Sequence, residues 1–365
     1  MAVNRPPQFA SIPLAQVPDV TEFLERLDLG VFRDDDVSTF FGRNDSWAGV
    51  TSLGLPVFVK RVGGPPDEVA QRITRIRAMG ELLGAHPVVR CPRFLGADER
   101  SGLVAYSLLE QARNGADLGA EEFTRELAHE AGVLVGTLHG LPAPAAVAAD
   151  TSTPPLPPVS NLEAIPLESY AVASGAELEA WRVVHNDPAL IEAIRNLSEW
   201  ERRSPRALIH GDLRLDQFLY HEGGLHLIDW EEARLADPAR DVGAFVGEWL
   251  FRGVHGMASG EDIATGPVDD REVIAGGVRR FEQLRPFIEA FWEGYSLTRP
   301  QARDDHELTA RAAAFAGWHM FDRLFAAGFQ RARLTPLELA AAGVGRKALL
   351  NPAAFTTTLG LGGEG

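Results

Sequence analysis

Between residues 207 and 231 two short apolar runs each end at an acid. Ala207-Leu208-Ile209 leads into His210-Gly211-Asp212, and a tight polar loop, Leu213-Arg214-Leu215-Asp216-Gln217, returns to Phe218-Leu219. Leu225-His226-Leu227-Ile228 then leads into Asp229, followed by Trp230 and Glu231. No other stretch constrains the chain as strongly, because two apolar strands that stop at carboxylates fix chemistry as well as topology. Phosphoryl transfer needs such a pair: one carboxylate accepts or orients the proton of an attacking hydroxyl, and another holds magnesium against the nucleotide phosphates. Magnesium also requires further hard oxygen donors in near-octahedral order. Asp212, Gln217 and Asp229 supply that set of oxygens.

A third acidic motif follows, Asp237-Pro238-Ala239-Arg240-Asp241. Together with His210-Gly211-Asp212 and Ile228-Asp229-Trp230, it resembles the aminoglycoside phosphotransferase and choline kinase-like family. That family's pattern is H-G-D-x-x-x-x-N, then an I-D-W or D-F-G-like acid, then D-P-x-x-D. The resemblance implies an α+β, two-lobed protein-kinase-like fold: a small β-rich N-lobe over residues 1–110, a larger, mostly helical C-lobe over residues 111–365, and ATP between them. It implies Asp212 as the catalytic-loop acid, Asp229 as the magnesium-bridging acid and Asp241 as a structural acid bracing the catalytic loop. Two positions depart from the pattern. Gln217 stands where the family has Asn, which keeps the amide oxygen but moves it outward by about 1.5 Å, and Asp216 beside it is a candidate to share the metal duty, although neighbouring side chains usually point apart. Arg214 places a cation two residues after the catalytic acid, where it offsets charge on the migrating phosphoryl group.

The amino-terminal half agrees with this reading. Only two of the 35 basic residues are lysine, Lys60 and Lys347. Lys60 closes the apolar run Val57-Phe58-Val59, where the resembling family places the lysine that contacts the α- and β-phosphates. In a chain that otherwise writes Arg, a Lys there points to a need for a compact ammonium. Ahead of it, Gly42-Arg43-Asn44-Asp45-Ser46-Trp47-Ala48-Gly49 occupies the position of a phosphate-covering loop, with Ser46 and the Gly49 backbone as candidate contacts. The family's lysine pairs with a helical Glu; Glu81 is the better placed candidate and Glu68 the other. Leu108 to Gln111 is expected to form the hinge that meets adenine with backbone groups, through Leu109 and Gln111.

Elsewhere the pattern predicts strands at 55–60 and 103–109, a helix over Asp67 to Leu83, and a buried helix over Glu121 to Leu141 with Leu127, Ala131, Leu134, Val135 and Leu138 at helical spacing. Pro142 to Pro158 holds six prolines among Ala, Ser and Thr and reads as an exposed linker or loop. Helices resume near Glu177 and Leu190, and the segments 278–296 and 306–328 carry aromatic residues expected in helix cores. His139 reads as a packing histidine, and His210 as structural. His221 and His226 have no third ligand at a zinc spacing. Glu231 and Glu232 read either as solvated charges or as contacts for a cationic substrate.

Acidic residues outnumber basic ones, 51 to 35, for a net charge of −16, which opposes nucleic-acid or anionic-lipid binding over the whole surface. No stretch approaches 18 uninterrupted apolar residues, and the start lacks a charged-then-apolar export signal, so a soluble, cytoplasmic protein without a membrane partner is expected. Cys91 is the only cysteine, which excludes an intrachain disulfide. The expected cofactors are ATP and Mg2+. The expected acceptor is a hydroxyl, either on a small molecule such as an aminoglycoside or amino alcohol, or on Ser/Thr of a biosynthetic peptide ahead of dehydration, in which case a lyase partner is needed. The alternative is a pseudokinase that binds nucleotide and serves as a partner subunit or scaffold.

Overall fold

The computed structural model describes residues 14–33, 37–40, 45–152, 154, 159–255, 270–328 and 331–362. In chain order the first elements are α1 (Pro18–Arg26), β1 (Ser38–Phe40), β2 (Ser46–Val50), β3 (Pro56–Arg61), α2 (Pro66–Ala85), β4 (Phe94–Asp98), β5 (Leu103–Ser107) and β6 (Arg113–Asn114). Then come α3 (Gly115–Glu121), α4 (Arg125–Gly140), α5 (Ala145–Ala148), α6 (Leu167–Val172), α7 (Gly175–His185), α8 (Pro188–Arg203), β7 (Ala207–Ile209), β8 (Phe218–His221), β9 (Gly224–Leu227) and β10 (Arg234–Ala236). The chain ends in α9 (Ala239–His255), α10 (Asp270–Thr298), α11 (His306–Gly328), α12 (Pro336–Leu350) and α13 (Pro352–Leu359). Two compact units result. The described residues up to 118, with 143–150 and 216–234, form the first; 119–142, 151–215 and 235 onward form the second. The chain first passes from one unit to the other after residue 118, not 110, and two later segments, 143–150 and 216–234, return to the first.

The first unit is built on an antiparallel sheet in the order β1-β2-β3-β5-β4. Period-two alternation decides its faces. Val57 and Val59 join Trp47, Leu103 and Ala105 in a buried cluster completed by Val20, Phe23 and Leu24 of α1. Phe58 and Lys60 lie on the opposite face, with their register partners Tyr106 and Val104 of β5. The predicted strand at 103–109 stops at Ser107, two residues short, although the Leu108 N–H still donates to the Pro56 carbonyl of β3. A second, three-stranded sheet, β6-β8-β9, also belongs to this unit.

The second unit is mostly helical. Thr124 caps α4 by accepting from the Leu127 N–H at 3.3 Å, which starts the helix later than the periodicity suggests. Helices α4 and α10 cross closely: a Cβ at Gly132 would sit 2.0 Å from the Phe291 carbonyl oxygen. Phe291 stacks on Phe245 of α9 at 4.0 Å between ring centroids, and Trp292, Trp318 and Phe321 are buried, as expected of helix core. The proline-rich segment is more than a linker: α5 forms within it and Val147 is fully buried. An apolar side chain with a neighbouring helix to cover it gains more from burial than the prolines around it forgo in backbone hydrogen bonds. No helix among the described residues is long and apolar enough to cross a membrane.

Candidate active site

Lys60 is directly opposite Ser46 on β2 in the cross-strand register. Its Nζ donates to Asp229 Oδ1 at 2.6 Å and to Glu231 Oε2 at 3.0 Å. Burial by itself would lower the ammonium pKa, but the charges of Asp229 and Glu231 and the hydrogen bonds to them outweigh it and raise the pKa above its ordinary value. The partner proposed from α2 is therefore corrected. Glu81 is exposed on that helix, and Glu68 lies within 3.8 Å of Arg72 one helical turn away. Local spacing could nominate a helical carboxylate but could not show that a nearer pair arrives from residues 229 and 231.

Asp229 and Gln217 are brought together by a hairpin. The β8–β9 loop is Glu222-Gly223 with φ of 47° and 82°, both positive, as a two-residue hairpin turn of matching twist requires. At its open end the Ile228 N–H donates to the Gln217 carbonyl at 3.0 Å. Asp229 then adopts φ 68°, ψ 66°, a left-handed conformation that Asp tolerates better than most residues and that recurs at functional sites. A 3-10 turn over Trp230–Glu232 follows, anchored by the buried Trp230 ring. Gln217 is buried, and the backbone carbonyl of Asp216 accepts from Asn114 Nδ2 at 3.3 Å.

A cleft of about 500 Å³ in the same unit is lined by Ala48, Gly49 and Val50 of β2 and by the segment from Leu108 to Ala112, with Arg33 and Ser38. Leu109 and Gln111, the expected hinge contacts, both line it. The segment is held by the Leu108 N–H donating to the Pro56 carbonyl at 3.0 Å, and Gln111 turns it with φ 60°. Gly49 lies on the cleft, whereas Ser46 is buried at the other end of β2. Residues 42–44 of the expected phosphate loop lie outside the described residues.

The His210-Gly211-Asp212 motif belongs to the second unit. β7 ends at Ile209, His210 follows it, and Gly211 takes φ 86°, the reason a glycine stands there. Asp241 ties the loop down: Oδ2 accepts from the His210 N–H at 2.7 Å, and Oδ1 from the Gly211 N–H at 2.9 Å. His210 closes the loop further, its Nδ1 accepting from the Asp212 N–H at 3.4 Å. His139 Nε2 donates to Asp241 Oδ2 at 3.1 Å while its Nδ1 accepts from the Tyr295 hydroxyl at 3.0 Å. Burial keeps Tyr295 protonated, which makes it the donor. Burial opposes ionisation of Asp241, yet the hydrogen bonds it accepts from His139 and from the Gly211 N–H lower its pKa. Asp212 itself is two-fifths exposed, and Arg214 Nη2 approaches its Oδ2 at 3.7 Å. The other acid of the third motif, Asp237, accepts from Arg311 Nε at 2.7 Å and is structural too.

The sequence reading missed the partners of the turn after Asp229. Glu231 and Glu232 are not free solvated charges: Glu231 holds Lys60, and Glu232 meets Arg72, Arg75 and Arg234. The available signal was two arginines three residues apart on α2, hence on one helix face. His221 and His226 pack edge to face with centroids 5.8 Å apart. Among the described residues, no group of three His, Cys, Asp or Glu side chains is placed to hold a metal by itself.

Comparison with known proteins places these features in a common frame. The solved structure of amicoumacin kinase hAmiN, in complex with AMP-PNP, Ca2+ and Ami, is similar in fold, with a TM-score of 0.53 at 16% identity over 91% of this chain and 93% of that one. The choline kinase LicA from Streptococcus pneumoniae gives 0.52 at 16% identity, over 91% and 98%. Both likenesses support the two-lobed α+β kinase-like fold. Acyl-CoA dehydrogenase family member 11, from Pongo abelii and from Homo sapiens, is 29% identical over 102 residues, which span 23% of this chain and 13% of that protein. Residues 43–304 match the phosphotransferase enzyme family, a stretch that contains Lys60, both strand-end acids and the Asp241 brace. This chain therefore belongs to the phosphotransferase enzyme family.

Proposed function

We propose that this phosphotransferase moves the γ-phosphoryl group of ATP, with a divalent ion, to a hydroxyl of a small amine-bearing molecule such as an aminoglycoside or amino alcohol. The observation that carries the reading is the joining of Lys60 and Asp229 at 2.6 Å in a unit that also holds the apolar cleft. The donor set fits the cofactors: the cleft offers Ala48, Val50 and hinge backbone to a planar base, and Asp229 and Gln217 offer the hard oxygens that Mg2+ prefers. Magnesium, when bound, draws charge from the phosphate oxygens. Lys60 contributes a compact cation for the α- and β-phosphates. Asp212 orients the attacking hydroxyl and takes its proton as the new bond from oxygen to phosphorus forms and the bond to ADP breaks. Arg214 offsets charge on the transferring group, and Asp241 keeps the loop that carries both residues fixed. The net charge of −16 suits a cationic acceptor, and a cytoplasmic setting suits an ATP-consuming enzyme.

A second reading, transfer to Ser or Thr of a peptide, is favoured by Arg214 beside Asp212 at 3.7 Å; a separate lyase would then be needed to eliminate the phosphate. Offering ATP and magnesium with aminoglycosides, amino alcohols and Ser/Thr peptides, and reading products by mass spectrometry, tests both. A small cationic alcohol should gain one phosphate, and Asp212→Asn should lower that turnover by about 100-fold or more. Modification of peptides alone would move the acceptor to the second reading. Unchanged turnover in Asp212→Asn would remove Asp212 from the mechanism, and nucleotide binding with no acceptor modified would favour a scaffold.

A further inference from the structure

The turn that follows Asp229 is gripped from α2 by arginine, on the helix where the family resemblance implies a carboxylate. Arg75 is only 5% exposed. Its Nε donates to Asp150 Oδ2 at 2.6 Å, one Nη donates to the Glu231 carbonyl at 3.1 Å, and the same nitrogen lies 3.5 Å from Glu232 Oε2. Arg72 Nε donates to Glu232 Oε1 at 3.2 Å, and Arg234 donates to the Glu232 carbonyl and to its Oε2 at 3.0 and 2.5 Å. A buried guanidinium is costly, and well-packed apolar residues of similar volume often stabilise a fold as well or better. What Arg75 provides that an apolar residue cannot is a planar fork with fixed directions. One prong fixes a backbone carbonyl two residues from Asp229, and another is fixed in turn by Asp150.

Asp150 reaches Arg75 because α5 and the fully buried Val147 dock the proline-rich segment onto this unit. We propose that Arg75, held by Asp150, is a positioning residue for Asp229: the pair sets the turn so that the Asp229 carboxylate is presented to the metal. Lys60 has a second carboxylate in Glu231 at 3.0 Å, so Asp229 can exchange its ammonium partner without leaving Lys60 unpaired. The inference rests on the reading of Asp229 as the metal acid, and it gives the segment from 142 to 150 a role in the chemistry of the first unit.

Two variants of the full chain test it, Asp150→Asn and Arg75→Lys, the second keeping the charge but losing the fork. Amide hydrogen exchange over residues 230–233 is read without any ligand, and calorimetric ATP binding is titrated against Mg2+. Both variants should speed exchange at 230–233 while leaving that of β2 and β3 unchanged, and should raise the Mg2+ concentration for half-maximal ATP binding by roughly tenfold. If Arg75→Lys does not fold, Asp150→Asn decides. Unchanged exchange at 230–233, or faster exchange with an unaltered Mg2+ requirement, overturns the positioning role. Absence of ATP binding by the wild type would instead overturn the functional reading, and that failure is distinct from one confined to the Asp150–Arg75 pair.

Discussion

Lys60 keeps its charge in a nearly closed setting, with its side chain 12% exposed, because two carboxylates compensate the lost hydration. Removing the cation leaves Asp229 and Glu231 facing each other. Breaking a buried pair costs about 3 kcal/mol or more; with the Asp229 side chain one-quarter exposed, solvent screening reduces that to about 2 kcal/mol. Lys60→Met should therefore lower the unfolding free energy by about 2 kcal/mol in denaturant titrations and also weaken ATP binding. Lys60→Arg should keep most of the stability and still lose affinity, since a planar guanidinium cannot take the place of a compact ammonium in the slot beside Ser46. Equal affinity in wild type and Lys60→Arg would show that charge is all the site requires. The Lys60 partner Asp229 holds a left-handed backbone with φ 68°, which Asp tolerates better than most residues.

Helices α4 and α10 approach through glycine, and that contact sets a prediction against helix propensity. Gly132→Ala gains about 1 kcal/mol of intrinsic propensity. Its Cβ, however, would meet the Phe291 carbonyl at 2.0 Å, and backbone must move to admit it. Overpacking costs about 1–3 kcal/mol, at its upper end where the obstacle is backbone, which outweighs the gain, so the denaturant midpoint should fall; a rise would mean the crossing relaxes freely. Elements with strong internal periodicity were legible in the sequence: β3, β5, α2, α4 and α11 lie close to where the apolar spacing places them. The candidate acids Asp212 and Asp229 were legible as candidates because short apolar runs stop just before them. What stayed hidden depends on partners distant in sequence. α1 draws its stability from the sheet it covers, α5 from burial of Val147, and Lys60 from acids 169 and 171 residues away. A carboxylate such as Glu81 satisfies the local spacing rule equally well, and only the tertiary arrangement shows that it points to solvent.

Acid should destabilise the whole protein through its buried carboxylates. Burial opposes ionisation of Glu248, but the hydrogen bond and charge of His319, with the charges of Arg323 and Arg252, bring its pKa down from 4.5 to about 2. A depressed carboxyl pKa contributes stability that is fully present above the ordinary value and lost as pH falls through the folded one. That places the loss between about pH 4.5 and about pH 2, with a size of order 3 kcal/mol. Asp241 acts with the same sign. Asp237 acts oppositely, its pKa raised by burial despite Arg311, and offsets part of the slope. At the alkaline end, the raised Lys60 pKa gives stability that is complete below 10.5 and lost as pH rises beyond it. Melting temperatures measured from pH 2 to 7 should show the acid limb, and Glu248→Gln should flatten it while lowering stability near neutrality. An identical limb in that variant would remove Glu248 as its source.

The measurement closest to the central claim is calorimetric binding of ATP with and without magnesium, for the wild type and Asp229→Asn at matched ionic strength. The account predicts binding that strengthens with magnesium in the wild type and loses that dependence in the variant. Magnesium-dependent binding of equal strength in both proteins, or no binding in either, would contradict it.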